Sequence, residues 1–380
     1  MNDQAQPPSA AGTSAPAVPK VLLDLLGARG PSGYESAPAA VWREAASEFA
    51  QVSSDLVGTP LALVASSPEG EPRHEDEDPT HPAARRLLVM GHIDEIGLIV
   101  THIDDEGQLW FRGVGGWDAQ ILVGQRVILD TREGAVRGVV GRKPIHLLRE
   151  EDRKKVAEIR DLHIDIGARD GEQARELVRI GDVAVIDAQP LELPNGRLSS
   201  RALDNRLGSF VALEAARLVA AAGGAEWELA AVAAVQEETT FGGSRTSAFA
   251  LEPDAAIVID VTHATDAPGI DVKESGKHEL GSGPVVSRGS TLNAALFELL
   301  CEAAQAEKIP FTIEATARAT GTDADAVHIS RGGVPTALVS IPIRYMHSPV
   351  ELVQLEDVHA CARLVAAGAL ALARESSFAR

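Results

Sequence analysis

The feature that most constrains this chain is the regular alternation of apolar runs and amphipathic segments after Asp204. Apolar runs at 227–235, 255–261, 311–317 and 336–342 predict strands, whereas helical spacing at 206–222, 244–251, 292–307 and from about Leu355 predicts helices. Successive strand and helix units favour a parallel sheet with helices on both faces. The sequence therefore predicts an α/β fold, a three-layer sandwich around a mostly parallel central sheet.

A second pattern interrupts the first between about Gly97 and Arg197. Short apolar runs such as LWFRGV, QRVILDT and LHIDIGA alternate there with Gly and Asp turns, which predicts a small β-rich unit. We expect a discontinuous α/β domain at 20–96 and 198–380, with the β-rich domain inserted at 97–197. Residues 1–19 are rich in Ala, Pro and Ser and have neither the basic nor the apolar region of a secretion signal, so we expect a disordered tail.

The charge balance excludes several partners. The 35 basic and 55 acidic residues give a formal net charge of −20, which repels phosphate backbones and anionic lipid headgroups. No apolar run approaches the roughly 18–20 residues that span a bilayer. The two cysteines, Cys301 and Cys361, lie far apart in apolar helical segments and are interpreted as inert core thiols. We expect a cytoplasmic protein that binds neither nucleic acid nor membranes.

Polar residues cluster at or just beyond the ends of the predicted strands, where open α/β sheets place their ligand sites. Each has a plain structural alternative: a surface His–Asp pair, a solvated acidic turn, a helix N-cap or Asx turn, or a hydrogen-bonded loop histidine. Their joint placement favours a site. The residues are His92, Asp204, Glu237, Glu238, Asp260 and His347.

Two local patterns suggest how such a site works. His92 and Asp94 lie two apart at a strand end, so the carboxylate can orient the imidazole of a metal ligand. Glu237 and Glu238 follow an apolar strand, and two adjacent carboxylates are costly there unless cations compensate them. On an extended backbone the two side chains point to opposite sides, so that one binds metal while the other reaches a bound water.

The charges suit a pair of divalent ions. Two such ions carry +4, and the carboxylates of Asp204, Glu238 and Asp260 carry −3. A bridging hydroxide neutralises the remainder, and two ions roughly 3.5–4 Å apart lower the pKa of that shared water and polarise a carbonyl. Glu237 is then free to act as general base and acid. Oxygen and imidazole ligands without thiolates favour zinc or cobalt, with manganese also possible.

The chain resembles the glutamyl aminopeptidase and tetrahedral aminopeptidase family of dinuclear metallopeptidases, peptidase family 42. The resemblance begins at Gly30 with GPSGYE and covers nearly everything after the tail. It continues through GHIDEIG, ALDNRLG, QEE, IDVTHATDAPG, GTDADAVH and IPIRYMHSPVE.

The resemblance implies roles for individual residues. His92 and Asp260 would bind one metal, Glu238 and His347 the other, and Asp204 both. Glu237 would be the general base and acid, Asp94 would orient His92, and Thr322 and Asp323 would line or support the site. The family fold is an α/β domain with an inserted β-barrel-like domain that helps dimers form, and some members assemble into dodecamers.

The expected function is therefore that of a metallo-aminopeptidase with two divalent ions per subunit, which hydrolyses N-terminal residues from peptides as a homo-oligomer. One segment departs from the family pattern, since Thr239, Thr240 and Phe241 stand where relatives tend to have a short apolar, Gly-containing turn. Two other functions remain open at this point. One is glycoside hydrolysis of the endoglucanase type by paired carboxylates, and the other is a non-catalytic scaffold stabilised by metal.

Overall fold

The computed structural model of the protein describes residues 17–67, 85–373 and 376–378. The predicted disordered tail lies outside the described residues, except for residues 17–19. The strands are β1 (Gln51–Ser54), β2 (Pro60–Val64), β3 (Arg86–His92), β4 (Gly97–Ile103), β5 (Leu109–Val114), β6 (Arg126–Thr131), β7 (Gly134–Arg142), β8 (Leu162–Asp165), β9 (Val183–Ile186), β10 (Leu191–Leu193), β11 (Arg197–Ser200), β12 (Glu228–Ala234), β13 (Ala255–His263), β14 (Val285–Gly289), β15 (Thr312–Thr316), β16 (Thr336–Arg344) and β17 (Glu351–Gln354). The helices are α1 (Lys20–Gly27), α2 (Ser36–Ala46), α3 (Ala119–Leu122), α4 (Gly171–Leu177), α5 (Leu203–Ala221), α6 (Glu237–Thr240), α7 (Gly242–Leu251), α8 (Val272–Ser275), α9 (Ala294–Ala306), α10 (Ala324–Val327) and α11 (Leu355–Leu370).

Eleven of the described strands form one mixed sheet. Its order is β1-β2-β12-β3-β13-β16-β17-β11-β10; off this path, β14 pairs with β16, and β15 pairs with β14. The four central strands, β12, β3, β13 and β16, are parallel, whereas the pairings toward both edges of that order are antiparallel. The predicted parallel sheet is therefore confirmed at the centre, where the carboxyl ends of four strands meet at one edge.

Helices cover both faces of this sheet, as the three-layer prediction requires. Successive side chains of a strand point to opposite faces. Leu87 and Val89 of β3 join the apolar cluster that contains α5 and α11, while Leu88 and Met90 join the cluster that contains α7 and α10. The central strand is thus buried on both faces, which explains its continuous apolar sequence.

Helix α5 lies unusually close to the central strand β3. A Cβ atom on Gly91 would lie 2.4 Å from the backbone carbonyl carbon of Gly208, so only glycine permits this approach. The contact brings the first turn of α5, which contains Asp204, against the end of β3, which contains His92.

The predicted inserted unit contains a closed barrel of six strands in the order β4-β5-β8-β7-β6-β9. It has its own apolar core, which includes Leu98, Leu109, Val127 and Ile164. The barrel-like fold expected from the resemblance is confirmed. The boundaries at 97 and 197 stay a prediction, because β10 lies within that range but pairs with β11 in the large sheet.

Cys301 and Cys361 are buried and not joined in a disulfide. Burial raises the pKa of the Cys361 thiol, which keeps it protonated and unreactive. Within the described ranges, no helix has both the length and the apolar character needed to cross a membrane.

Candidate metal centre

Six predicted site residues lie together at the carboxyl edge of the parallel strands. His92 is the last residue of β3, and His347 lies three residues beyond the end of β16. Asp260 lies inside β13, because this strand continues to His263 rather than ending at the predicted 261. The other three residues follow nearby elements: Asp204 in the first turn of α5, and Glu237 and Glu238 in α6 after β12.

Asp204 occupies the centre of this cluster. Its Oδ1 lies 3.2 Å from Nε2 of His92, and its Oδ2 lies 3.3 Å from Nε2 of His347. A single carboxylate therefore faces two histidines with different oxygens.

The remaining carboxylates divide between the two histidines. Glu238 Oε1 lies 3.3 Å from Nε2 of His347, and Asp260 Oδ1 lies 4.0 Å from Nε2 of His92. Glu237 Oε2 lies 3.6 Å from the same His92 nitrogen. Two sets of three residues bring their possible ligand atoms within 4.8 Å of one another: His92, Asp204 and Glu238, and His92, Glu237 and Asp260.

The backbone at the paired glutamates differs from the prediction. Glu237 and Glu238 begin the short helix α6, between Gln236 and Phe241, which have φ values of 61° and 55°. The expected extended backbone is therefore wrong. The helical turn points the N–H groups of Glu237 and Glu238 in one direction, and both donate hydrogen bonds to the same carboxylate.

That carboxylate belongs to Asp94. Its Oδ1 accepts a hydrogen bond of 3.0 Å from the Glu237 N–H, and its Oδ2 accepts one of 3.1 Å from the Glu238 N–H. Asp94 Oδ1 also lies 3.4 Å from Nδ1 of His92, a distance at which this buried nitrogen has no hydrogen bond of ordinary geometry. Asp94 thus holds the turn that carries both glutamates, and it also faces the imidazole that it was predicted to orient.

The cluster concentrates acidic groups in a buried place. Burial, with help from neighbouring carboxylates such as Asp260, raises the pKa of Glu237 to about 10. Burial also raises the pKa of Glu238, and raises that of Asp260 well above its ordinary value. These carboxylates are costly to ionise unless cations lie beside them.

The pKa shifts of the two histidines and of Asp204 instead favour the charged form of each group. Hydrogen bonds that the His347 imidazole donates to Asp204 and Glu238 raise its pKa to about 11. His92 is buried, which disfavours its charged form, yet Glu237, Asp204 and Asp94 raise its pKa well above the usual range. Burial opposes ionisation of Asp204 too, but the two histidines lower its pKa. The site therefore binds positive charge strongly, and a metal ion that bound there would displace these protons.

The donor set fits divalent transition metals. Two imidazoles and four carboxylates converge, and no thiol is among the residues of the two sets. Such nitrogen and oxygen donors suit zinc, cobalt or manganese.

Glu351 is a buried residue of this site that the sequence reasoning did not single out, although it ends the IPIRYMHSPVE motif. Its Oε2 accepts a hydrogen bond of 3.1 Å from the Asp204 N–H, and its Oε1 accepts one of 2.9 Å from the His347 N–H. Burial, together with the nearby Asp204, raises the pKa of Glu351 well above its ordinary value. One carboxyl group thus fixes the backbone of two predicted ligands, and no spacing rule would have revealed it.

Glu35 plays a similar part on the other side. Its Oε1 accepts hydrogen bonds of 2.6 Å from the Gly33 N–H and 3.0 Å from the N–H of Gln236, the residue before α6. Burial and the neighbouring Asp94 raise its pKa to about 7. Its only signal in the sequence is its position at the end of GPSGYE.

A cavity of about 410 Å³ opens onto the cluster. Thr322 forms part of its wall, and its role beside a substrate stays a prediction. Asp323 is buried, 1% exposed, and neither of its carboxylate oxygens has a hydrogen-bond partner of ordinary geometry among the described residues. Burial raises its pKa to about 6. The structure thus places Thr322 against the cavity and Asp323 in the protein interior.

The segment that departs from the family pattern contacts the loop between α1 and α2. Thr239 Oγ1 lies 2.8 Å from the hydroxyl of Ser32, and Phe241 adopts the left-handed conformation between α6 and α7. The departure therefore leaves the carboxylates of α6 within the cluster.

Comparison with known proteins gives a consistent result. Residues 78–364 match the sequence model described as M42 glutamyl aminopeptidase. The chain is 38% identical over 280 residues to the lysyl aminopeptidase of Pyrococcus furiosus, a match that covers 73% of this chain and 79% of that protein.

Solved structures show the same fold. A TET aminopeptidase from a marine sediment thaumarchaeon superposes with a TM-score of 0.84 at 34% identity, over 92% of this chain and 96% of the other. The TET1 peptidase of Pyrococcus horikoshii, described as assembling into a tetrahedron or a large octahedral shell, superposes with a TM-score of 0.79 at 31% identity, over 93% and 99% of the two chains.

Proposed function

Because the chain belongs to the M42 glutamyl aminopeptidase family and is an aminopeptidase, we propose that it works through two divalent cations, with Glu237 as general base and acid. M42 peptidases are metal-dependent, and the cluster of histidines and carboxylates fits such ions. The observation that carries the proposal is the position of Asp204 between His92 and His347.

The residues divide into two ligand sets. His92 and Asp260 would hold one ion, and Glu238 and His347 the other. Asp204 would contribute one oxygen to each. Its carboxylate and those of Glu238 and Asp260 supply three negative charges, so two divalent ions would leave about one positive charge at the centre.

The chemistry follows from what Glu237 can reach. When bound, a pair of divalent cations lowers the pKa of a shared water and polarises a carbonyl oxygen. The carboxyl group of Glu237 lines the cavity, and Asp94 fixes its backbone. Positive charge nearby would lower the raised pKa of the Glu237 carboxyl group toward the neutral range. Glu237 would then take a proton from water and deliver it to the leaving amine.

Zinc or cobalt are the proposed ions, with manganese as a further candidate. The substrates are peptides with a free N-terminus. A panel of aminoacyl nitroanilides assayed before chelation, after chelation and after metal return tests this function. Activity lost with the metal and restored by it supports the proposal, and no turnover of any substrate under any metal contradicts it.

The native assembly is proposed to be a homo-oligomer, a dimer or a dodecamer, to which the barrel contributes. Between β7 and β8 the side chains of Ile145, Leu147 and Val156 are 59%, 65% and 63% exposed, which is costly for an isolated subunit. The assemblies of the TET1 peptidase support this proposal. Light scattering would separate a dimer from a dodecamer. A cytoplasmic location also stays a proposal.

The glycoside hydrolase and scaffold alternatives are not retained, because the family and the Pyrococcus furiosus relative are aminopeptidases. The preferred N-terminal residue is a separate question. The family description refers to glutamyl substrates and the relative's name to lysyl substrates, so membership alone does not select one.

A further inference from the structure

One wall of the cavity carries a carboxylate that does not belong to the metal cluster. Glu314, on β15, is half-buried and lines the same 410 Å³ cavity as His92 and Asp260. Its Oε1 accepts a hydrogen bond of 3.2 Å from the Thr262 hydroxyl, and its Oε2 lies 3.5 Å from the Ser287 hydroxyl. Two hydroxyl groups thus hold the carboxylate at the wall.

The carboxylate lies at a defined distance from the metal cluster. Thr262 follows Asp260 by two residues in β13, so the two side chains point to the same face of the sheet, about 7 Å apart along the strand. Since Glu314 contacts Thr262, the distance between the Glu314 carboxylate and the metal cluster is about the length of a long amino-acid side chain. A substrate whose terminal carbonyl lies at the cluster would direct its first side chain across that gap.

The cavity offers no cation to neutralise Glu314. Outside the cluster, the ionisable side chains that line it are Glu314 and His263, and neither lysine nor arginine lines it. Within the described residues, Glu314 forms no ion pair with a lysine or arginine. The nearby His278 is buried, and burial lowers its pKa, which keeps its imidazole neutral.

Part of the remaining wall suits a hydrocarbon chain. Leu338 and Met346 are apolar, and Ala315 and Ala319 are small. Lysine and arginine combine an apolar stem with a charged head, and they place the head where it meets polar partners. The cavity combines these apolar and small side chains with threonine and serine hydroxyls and, outside the metal cluster, with the single carboxylate of Glu314.

Resting on the proposed aminopeptidase centre, we propose that Glu314 is the specificity determinant of this enzyme and selects peptides with lysine or arginine at the N-terminus. Its carboxylate pairs with the ammonium or guanidinium group of the first residue. The site is partly desolvated, so its contribution should fall between those of exposed and buried charge pairs, about 10- to 100-fold in kcat/KM.

The test compares two substrates that differ by one ammonium group, lysyl and norleucyl p-nitroanilide, at about pH 8.5, where solvent-exposed imidazoles are neutral. We expect the wild type to prefer the lysyl substrate. Glu314→Gln should lower kcat/KM for the lysyl substrate about 10- to 100-fold and leave the norleucyl value within about twofold. The control Glu307→Gln makes the same change at an exposed position at the end of α9 and should alter neither value.

A contrary result has two forms. Preference for norleucine in the wild type would overturn the proposal, and so would an equal loss for both substrates in Glu314→Gln. The equal loss would assign the carboxylate to the α-amine that all substrates share. Competitive inhibition by free lysine against norleucine needs no variant and gives a second readout: stronger inhibition by lysine is expected, and equal inhibition contradicts the proposal.

Failure of this inference is distinguishable from failure of the proposed function. Turnover of norleucyl but not lysyl substrate would reject Glu314 as the determinant and leave the aminopeptidase centre intact. Absence of turnover for every substrate after metal return would reject the centre itself, and with it the role of Glu314.

Discussion

Asp204 presents Oδ1 to Nε2 of His92 at 3.2 Å and Oδ2 to Nε2 of His347 at 3.3 Å. His92 ends strand β3 and His347 follows strand β16, and strand β13 lies between these two strands in the sheet. Asp204 reaches both because α5 approaches β3 closely at Gly91. One carboxylate therefore joins two groups of ligands, and the account of a dinuclear centre depends on it.

Replacing this carboxylate should affect both ions. Asp204→Asn removes the charge and one of the two accepting oxygens, so we expect the protein to retain at most about one ion per chain and to lose activity. Asp260→Asn, which alters only the His92 side, should retain the ion on the His347 side. Metal analysis after gel filtration measures both variants. Equal retention of two ions by Asp204→Asn would contradict the bridging role.

Glu237 should matter for the reaction and not for metal binding. Glu237→Gln preserves size and removes the proton acceptor, so kcat should fall about 10²- to 10⁴-fold while metal content stays at the wild-type level. Steady-state kinetics and metal analysis on the same preparation provide the measurement. Activity within about threefold of wild type would show that another group moves the proton.

Glu351 should act by positioning two ligands. A glutamine at this position accepts through one oxygen only, so Glu351→Gln leaves one of the Asp204 and His347 N–H groups without its partner. We expect metal affinity to fall about 10- to 100-fold. Competition with a chromophoric chelator measures it, and Glu356→Gln, at an exposed position in the first turn of α11, is the matched control. Equal metal affinities in Glu351→Gln and Glu356→Gln would contradict the positioning role of Glu351.

The loop after β5 should tolerate no side chain beside His347. A Cβ atom at Gly116 would lie 3.2 Å from Nδ1 of His347, tighter than ordinary contact. Gly116→Ala should therefore tilt the imidazole and lower kcat/KM about tenfold, since an ångström of misplacement can cost up to about 100-fold. Gly332→Ala places its Cβ in open space and serves as the control. Unchanged kinetics in Gly116→Ala would show that the loop moves to accommodate the added methyl group, and would contradict this prediction.

Stability should depend on pH through Asp357, which lies away from the metal cluster. Burial raises its pKa from 3.8 to about 6, and its oxygens accept hydrogen bonds of 2.7 and 2.8 Å from the N–H groups of Gly281 and Gly283. Because the folded pKa exceeds the unfolded one, its contribution is fully present below pH 3.8 and is lost as the pH rises through about 6.

The variant Asp357→Asn cannot ionise and should not show this loss. Relative to the variant, the wild type should lose up to about 3 kcal/mol of unfolding free energy between about pH 4 and pH 7. Urea unfolding with chelator present, at one protein concentration, measures the difference. Parallel pH profiles for the two proteins would contradict the raised pKa.

The sequence predicted the location of the site because the carboxyl ends of parallel strands converge on one edge. His92 and His347 became candidates because each stands at or just beyond the end of an apolar run, and the joint placement of six such residues favoured a site. The barrel and the roles of individual ligands depended on resemblance to a family. Those roles stay predictions, and the geometry of the cluster supports them.

Other features were beyond sequence reasoning for physical reasons. The helical turn at Glu237 is fixed by Asp94, a residue more than a hundred positions away. The local strand pattern therefore led to a wrong prediction of extended backbone at this point. Glu351 binds the backbone of two ligands, and hydrogen bonds to backbone groups leave no trace in the spacing of side chains. The approach of Gly116 to His347 is likewise a contact between the barrel and the large sheet.

The most direct test of the dinuclear centre is a titration of the chelator-treated protein with zinc or cobalt, in which bound metal per chain and aminopeptidase activity are measured together. The account predicts that about two ions bind per chain and that full activity returns only as the second is bound. Full activity at about one ion per chain, or activity that survives complete metal removal, would contradict it.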